Sequence, residues 1–321
     1  MSQSSESIAE QLRQSIGLAG GHVFDEDVGR LEIHGNQVVG QHLLPGLSVT
    51  VDERPHGIRA VIRLAAGTHI EKPVHICFGV MPERGRQDIE MDVTIEENAA
   101  VDIMAHCTFP NAVEVEHTMQ GVVRVGAGAS YTYYERHIHG PAGGTRVVPH
   151  AKIYVGEDAV FKTDFELIRG RCGSIDIDYE AEVGARGTVD MLSRVSGRQD
   201  DRIRIREAAT LAGEGARGVL TSHIALREES EALVENELTA LAAHARGHVD
   251  CKEIVLDNAH ARAVPIVDVR NAKAHVTHEA AIGSVDSKQL QTLMARGLTE
   301  GEAADLIIQG LLEQSNRMTK G

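Results

Sequence analysis

Between about residue 60 and residue 282, apolar and polar positions alternate in short runs: QDIEMDVTI, HTMQGVVRV, TRVVPHAKIYV, SIDIDYEAEV and DDRIRIREA. A period of two sends successive side chains to opposite faces of an extended strand. Interleaved with these runs are turn-like openings followed by a further strand: GTHIEKPVHI, ENAAVDIMAH, GAGASYTYYE, GEDAVFKTDF, GARGTVDMLS and GEGARGVLTS. Their first residues, Gly67, Glu97, Gly126, Gly156, Gly184 and Gly213, lie close to 29 apart. Near the end, NAHARAVPI and NAKAHVTHE repeat at 13 residues, about half the longer period. Turn-plus-strand units of fixed period, without helices between them, predict a β-solenoid whose Ala, Val and Ile side chains stack rung upon rung. A long flat sandwich competes with this reading, but would not require so even a spacing.

The two ends break the pattern. Residues 5–18 place Ile8, Leu12 and Ile16 at four-residue spacing, and Gly17 with the Gly20-Gly21 pair ends that run, which predicts a short amphipathic helix. Short strands follow over 22–60, with turns at His34-Gly35-Asn36 and Pro45-Gly46. From 284 the period switches to helical: Leu290, Leu293, Met294 and Leu298 fit one helix behind an Asp286 N-cap. Thr299 and Glu302 form a capping box for a second helix carrying Ala303, Leu306, Ile307 and Leu311, with Gly297 ending the first. Two short helices joined tightly are too small to fold alone and must pack on the solenoid or on a partner. The predicted architecture is mainly β: a right-handed β-solenoid core over 61–283. Residues 1–60 form an N-terminal helix and lead-in strands, and 284–321 a C-terminal helical hairpin.

Composition agrees with a stacked core. Of 321 residues only five are Phe, five are Tyr and none is Trp, so Val, Ile, Leu and Ala must fill the interior. The chain carries 47 acidic and 32 basic residues, a formal charge of −15, and no basic run. It is a poor candidate for binding nucleic acid or an anionic membrane. No window approaches the roughly 20 apolar residues of a membrane span. The start, MSQSSESIAEQLRQSIG, has no apolar stretch of signal-peptide length, and the four cysteines are scattered without a CxxC pair. A cytoplasmic protein with reduced thiols is the economical expectation.

The familiar catalytic motifs are absent. None of the seven lysines follows a glycine, which excludes a GxxxxGK[ST] phosphate loop, and there is no GxSxG, HExxH or GxGxxG after a strand. What remains are soft and borderline metal donors. The stretch HVDCKEIVLDNAHARAVPIVDVRNAKAHVTHEAAIG holds Cys251, His260, His275, His278 and Glu279, the donor types used by iron, zinc and iron–sulfur centres. Their spacing matches no single-chain metal motif, and burial as a small apolar residue is the ordinary fate of a free cysteine. Upstream, Glu135, His137 and His139 alternate along YTYYERHIH and share one strand face. A solvated face is the simpler reading; an inward one would line a polar route between Cys107 and Cys251, with Lys152 a weaker member.

HVDCKEIVL followed by PIVDVRNAKAHVTHEAAIGSVDSKQLQTLMARGLTEGEAADLIIQGLLE resembles the C-terminal signature of the SufB/SufD family, scaffold components of iron–sulfur cluster assembly. AAVDIMAHCTFPNAVEVEH resembles the SufB stretch in which a Cys-Thr-x-Pro segment precedes a histidine. The chain is shorter than typical members and looks similar to the compact SufB-like form of minimal systems. The resemblance implies that Cys251, His278 and Glu279 hold the nascent cluster; His275, a donor type in the same stretch, is a second-tier metal candidate from the residues alone. The resemblance also implies that Cys107 accepts sulfur, beside His117; Glu135 and His137 join a transfer route only through the strand alternation, if their face is inward. A lowered Cys107 pKa would suit that role if His117, or less well His106, lies close in space. Thr277 stands where SufB commonly has an acidic residue. Cys77 and Cys172 match no motif and are expected in the core.

The implied cargo is a transient iron–sulfur cluster, [4Fe–4S] or [2Fe–2S]. The implied partners are a SufC-like ABC-type ATPase docking on the terminal hairpin, a second copy or a SufB/SufD paralogue forming a dimer, and apo acceptor proteins. Such a chain is a scaffold rather than an enzyme. A β-helix carbohydrate-active enzyme and a purely structural solenoid are the rival readings.

Overall fold

The computed structural model describes residues 5–18 and 28–313. The alternating runs form two parallel sheets that face each other. The nine-stranded sheet contains β3 (Leu47–Arg54), β4 (Gly57–Leu64), β6 (Arg84–Ile95), β8 (Glu114–Val125), β10 (Thr145–Val155), β12 (Ser174–Val183), β14 (Arg202–Leu211), β16 (Glu231–Ala240) and β18 (His260–Val269). The ten-stranded sheet contains β1 (Arg30–His34), β2 (Gln37–His42), β5 (Val74–Gly79), β7 (Ala100–Phe109), β9 (Ser130–His139) and β11 (Val160–Leu167). It continues through β13 (Thr188–Gly197), β15 (Arg217–Leu226), β17 (Arg246–Val255) and β19 (His275–Gly283). From β4–β5 to β18–β19 the chain makes eight coils of two strands each, so the 13-residue repeat is one strand and its turn. This is the predicted β-solenoid.

The turns explain the period. Seven of the eight coils, all but the last, reverse at a residue with positive φ: Gly67, Asn98, Gly128, Asp158, Arg186, Gly215 and His244 occupy equivalent corners. Gly, Asn and Asp tolerate that region at little cost, whereas Arg186 and His244 are held there by the stacked coils around them. Inward positions of both sheets carry the core, including Ile58, Ile62, Val93, Ile103, Val147, Ile175, Val189, Leu220 and Leu238. Each such side chain contributes roughly 1.5–3 kcal/mol on burial, and an Asp at Leu220 would break the stack.

The two ends of the solenoid differ. At the N-terminal end the parallel ladder stops in two antiparallel hairpins, β1–β2 and β3–β4, which cap the coils. Helix α1 (Ser5–Leu18) lies against the outer face of the ten-stranded sheet. Its Leu12 is buried over Gly79, where any Cβ would collide with the leucine, and its Arg13 pairs at 2.7 Å with the buried Glu32. The Gly20-Gly21 pair expected to end this helix, and residues 314–321 of the predicted hairpin, lie outside the described residues.

At the other end β18 and β19 are edge strands with no neighbour beyond them among the described residues, and Ile266, Val269 and Ile282 are 41–49% exposed. The terminal hairpin forms as expected: Asp286 caps α2 (Ser287–Met294) by accepting from Gln289 N–H, and Thr299 with Glu302 makes a reciprocal box on α3 (Glu300–Glu313). The buried stripe of α3 is Ala303, Ala304, Ile308 and Leu312, leaving the expected core residue Leu306 exposed. The cause is docking on the outer face of β15, where Ala225 and Val285 join the stripe and the buried Arg194 guanidinium donates to the Leu312 carbonyl.

Candidate functional site

Strand pairing places the chemistry-bearing residues in rows along the inner face of the ten-stranded sheet. One row runs Ala105, Glu135, Phe165, Ser193, Ser222, Cys251 and Ala280. Beside it, Phe78, Cys107 and His137 follow one another. Glu135, His137 and His139 are all buried, so their alternation marks an inward face and the solvated-face reading fails. Opposite them, the nine-stranded sheet contributes a facing row of Tyr179, Glu207 and Asn236.

Cys107 sits in a closed centre. Its thiol donates to Glu135 Oε1 at 3.8 Å, and the same oxygen is 2.7 Å from His137 Nε2. Tyr179 donates to the other carboxylate oxygen at 3.2 Å. His137 Nδ1 continues to His139 Nε2 at 3.2 Å, whose Nδ1 meets the Arg171 carbonyl at 2.9 Å. Among the described residues, Cys107, Glu135 and His137 are the group whose three donor atoms lie within metal-binding reach of one another. His117, also predicted here, packs its ring against Phe109 and 6.2 Å from the His137 ring, while its buried Nδ1 has no partner.

The electrostatics oppose a resting thiolate. Burial, then the Glu135 carboxylate, pushes the Cys107 thiol well above its ordinary range. Burial also holds His117 well below its ordinary value and His139 down to about 3, so both stay neutral. The expected lowering of the Cys107 pKa by neighbouring histidines is therefore overturned: neutral rings supply no positive charge. His106 points to the other face, stacked on His75 beneath α1.

From Glu135 a line of buried polar groups follows the facing rows toward Cys251. Tyr179 neighbours Glu207 in register; Ser193 donates to Glu207 at 2.7 Å; Asn236 donates to Ser222 at 2.7 Å and to the Cys251 sulfur at 3.6 Å. Burial raises the Glu207 carboxyl to about 7. Tyr179, Ser193, Glu207, Ser222 and Asn236 were not found by sequence reasoning. Each is an ordinary strand residue, and only rung-to-rung register aligns them. Lys152 is not among them; it is exposed on the outer face of the nine-stranded sheet.

Cys251 lies mid-strand in β17, fully covered, one coil from the open end. Burial and the nearby Glu253 carboxylate push its thiol up to about 12, against a smaller lowering by the Asn236 amide. The structure divides the other residues expected there. His278 lies beside Val249, on the inward side of β19. Glu279 pairs with Asp250 and His275 with Arg246, both outward positions, so neither shares the Cys251 face within this chain. All three are exposed, and His260 is exposed at the first residue of β18. Cys77 and Cys172 are buried, as expected of core residues.

Comparison with known proteins follows the same stretch of chain. The family model for the SufBD core domain of SUF-system FeS cluster assembly matches residues 85–311. An iron–sulfur cluster assembly SufBD family protein of Methanocaldococcus jannaschii is 36% identical over 267 residues, covering 83% of this chain and 84% of that protein. One from Pyrococcus horikoshii is 34% identical over 290 residues, covering 90% and 88%. The iron–sulfur cluster assembly protein SufB of Bacillus subtilis is 23% identical over 264 residues, 78% of this chain and 54% of that protein.

Proposed function

The chain belongs to the SufBD family of iron–sulfur cluster assembly proteins, and from that premise we propose that it is the scaffold, accepting sulfur at Cys107 and holding the nascent cluster at Cys251. The observation that carries this reading is the pairing of two buried thiols on one interior face, joined by a row of buried polar side chains. In an otherwise aliphatic core such a row costs stability unless it serves a purpose. The Glu135–His137 pair is set to take the Cys107 proton, which answers the raised thiol pKa, as its sulfur attacks the outer sulfur of a donor persulfide; the donor S–S bond breaks, Cys107 becomes the persulfide and the donor leaves as a thiol. Attack of a small thiol on the Cys107 sulfur would release that outer sulfur as hydrosulfide and leave a mixed disulfide, and Tyr179, Ser193, Glu207, Ser222 and Asn236 offer hydrogen-bonding groups to the hydrosulfide along the solenoid.

The partners follow from the ends. Unpaired edges at β18 and β19, with Ile266, Val269 and Ile282 exposed, support dimerisation with a second copy or a SufB/SufD paralogue through that end. Pairing there would bring outward-facing donors such as Glu279 and His275 within reach of a second chain. Met294 and Leu306, 42% and 47% exposed on the terminal hairpin, suit a docking surface for an ABC-type ATPase that supplies ATP hydrolysis. Finished clusters would pass to apo acceptor proteins. No described helix is long and apolar enough to cross a membrane, and four free thiols fit a reducing cytoplasm.

Anaerobic reconstitution with iron and sulfide tests the assignment. Cluster absorbance should appear in the parent, vanish in Cys251→Ser and persist in Cys107→Ser, which bypasses sulfur delivery. Absorbance that survives Cys251→Ser together with Glu279→Ala would remove the ligand assignment.

A further inference from the structure

We propose that Glu253 is a direct ligand for iron held at Cys251, so that one strand presents a thiolate and a carboxylate side by side from within the open end of the solenoid. The inference rests on the reading of Cys251 as the cluster-holding residue and adds a donor to it.

Position comes first. Residues 251 and 253 are two apart on β17, so both side chains project into the interior. Cys251 and Glu253 are 0% and 2% exposed. Among the described residues the rung beyond them is β19, which sets Ala280 beside Cys251 and the half-exposed Ile282 beside Glu253. A metal entering through the open end therefore reaches this pair past a single rung.

The second observation is the state of the carboxylate. Both oxygens of Glu253 are buried and neither has a hydrogen-bond partner. Other buried carboxylates in this protein are provided for. Glu32 has Arg13, Glu135 has His137 and Tyr179, Asp164 and Glu166 have Arg194, and Glu207 has Ser193. A carboxylate buried with no partner at all is costly, and a site for a cation accounts for it.

Chemistry completes the argument. Thiolate is a soft donor and carboxylate a hard one, a mixture that suits iron and exchanges more readily than a set of four thiolates. His278, inward on the last strand beside Val249, is the third donor that this face can add. Glu279 faces away and cannot join the pair within the same chain.

Cobalt(II), titrated anaerobically into the full-length apo chain and read by its sulfur-to-metal charge-transfer band, separates the possibilities. The parent should show the band and Cys251→Ser should lose it. Glu253→Gln should weaken binding at least about tenfold, a loss in the range expected for disturbing a metal site, while Lys152→Ala, on the outer surface, binds as the parent does. Thermal unfolding is the control: removing an unpartnered buried carboxylate should leave Glu253→Gln no less stable than the parent, so weakened binding would not reflect unfolding. Binding by Glu253→Gln as tight as the parent's overturns the Glu253 assignment alone. Absence of the thiolate band in the parent overturns the Cys251 reading and this inference with it.

Discussion

Cys107 and Cys251 occupy the same inner face of the same sheet, five coils apart, and their surroundings are opposite in kind. Cys107 is enclosed by Phe78, Phe109 and His117, and its Glu135 neighbour is satisfied on both oxygens. Cys251 has one amide donor, an unpartnered carboxylate two residues on, and a last coil that leaves most of its side chains exposed. The first centre pairs its carboxylate on both oxygens within the chain and leaves only neutral groups, such as His117 Nδ1, without a partner. The second is incomplete, and what it lacks is what a metal and a second chain would bring. A buried polar network is stable when every member is paired, and its unpaired members mark where something else binds.

Several measurements sharpen or break that contrast. Site-resolved alkylation carries the largest expected effect. With its thiol near 12, Cys251 should have a thiolate fraction about three orders of magnitude below that of a free cysteine at neutral pH, and its rate should keep rising beyond about pH 10. Both thiols need the coils to open, and Cys251 should still be labelled before Cys107, because it lies one coil from the open end and Cys107 five coils further in. A plateau between about pH 8 and 9, or labelling of Cys107 first, would break the comparison.

Next in size is Glu207→Gln. The Glu207 carboxyl is raised by burial from an ordinary 4.5 to about 7, so the folded chain binds its proton more tightly than the unfolded chain does. Its stabilising contribution is full below the unfolded value and is lost as pH rises through about 7. The stability advantage of the Gln variant should therefore grow by about 3 kcal/mol between about pH 4 and pH 8 in denaturant unfolding. A flat difference would show that Glu207 is paired better than its geometry indicates.

Smaller still is Tyr179→Phe, which removes a donor from Glu135 and should cost about 1–2 kcal/mol. Tyr133→Phe should cost close to nothing, because the buried Tyr133 hydroxyl has no partner. Equal losses from the two would erase the distinction between a satisfied network and loose polar groups. Last, Lys152→Ala should stay within about 0.5 kcal/mol and leave sulfur acceptance unchanged, since its side chain is on the outer surface.

The amino-acid sequence by itself determined the coil. Alternation chose strands, turn openings near 29 residues apart chose the stacking repeat, and Asp286, Gly297 and the Thr299–Glu302 box delimited the terminal helices. These are local signals, read within a few residues of where they act. Register and face were decided only by the tertiary structure. Whether Glu135 and His137 look inward, whether Glu279 shares a face with Cys251, and which of Leu306 or Ile308 is buried depend on what packs across a rung or a helix. Alternation is symmetric between the two faces of a strand, so it cannot say which is inside. The Cys251-x-Glu253 spacing was available as a signal that two donors share one side. Its meaning required a coil that buries that side and leaves the carboxylate without a partner.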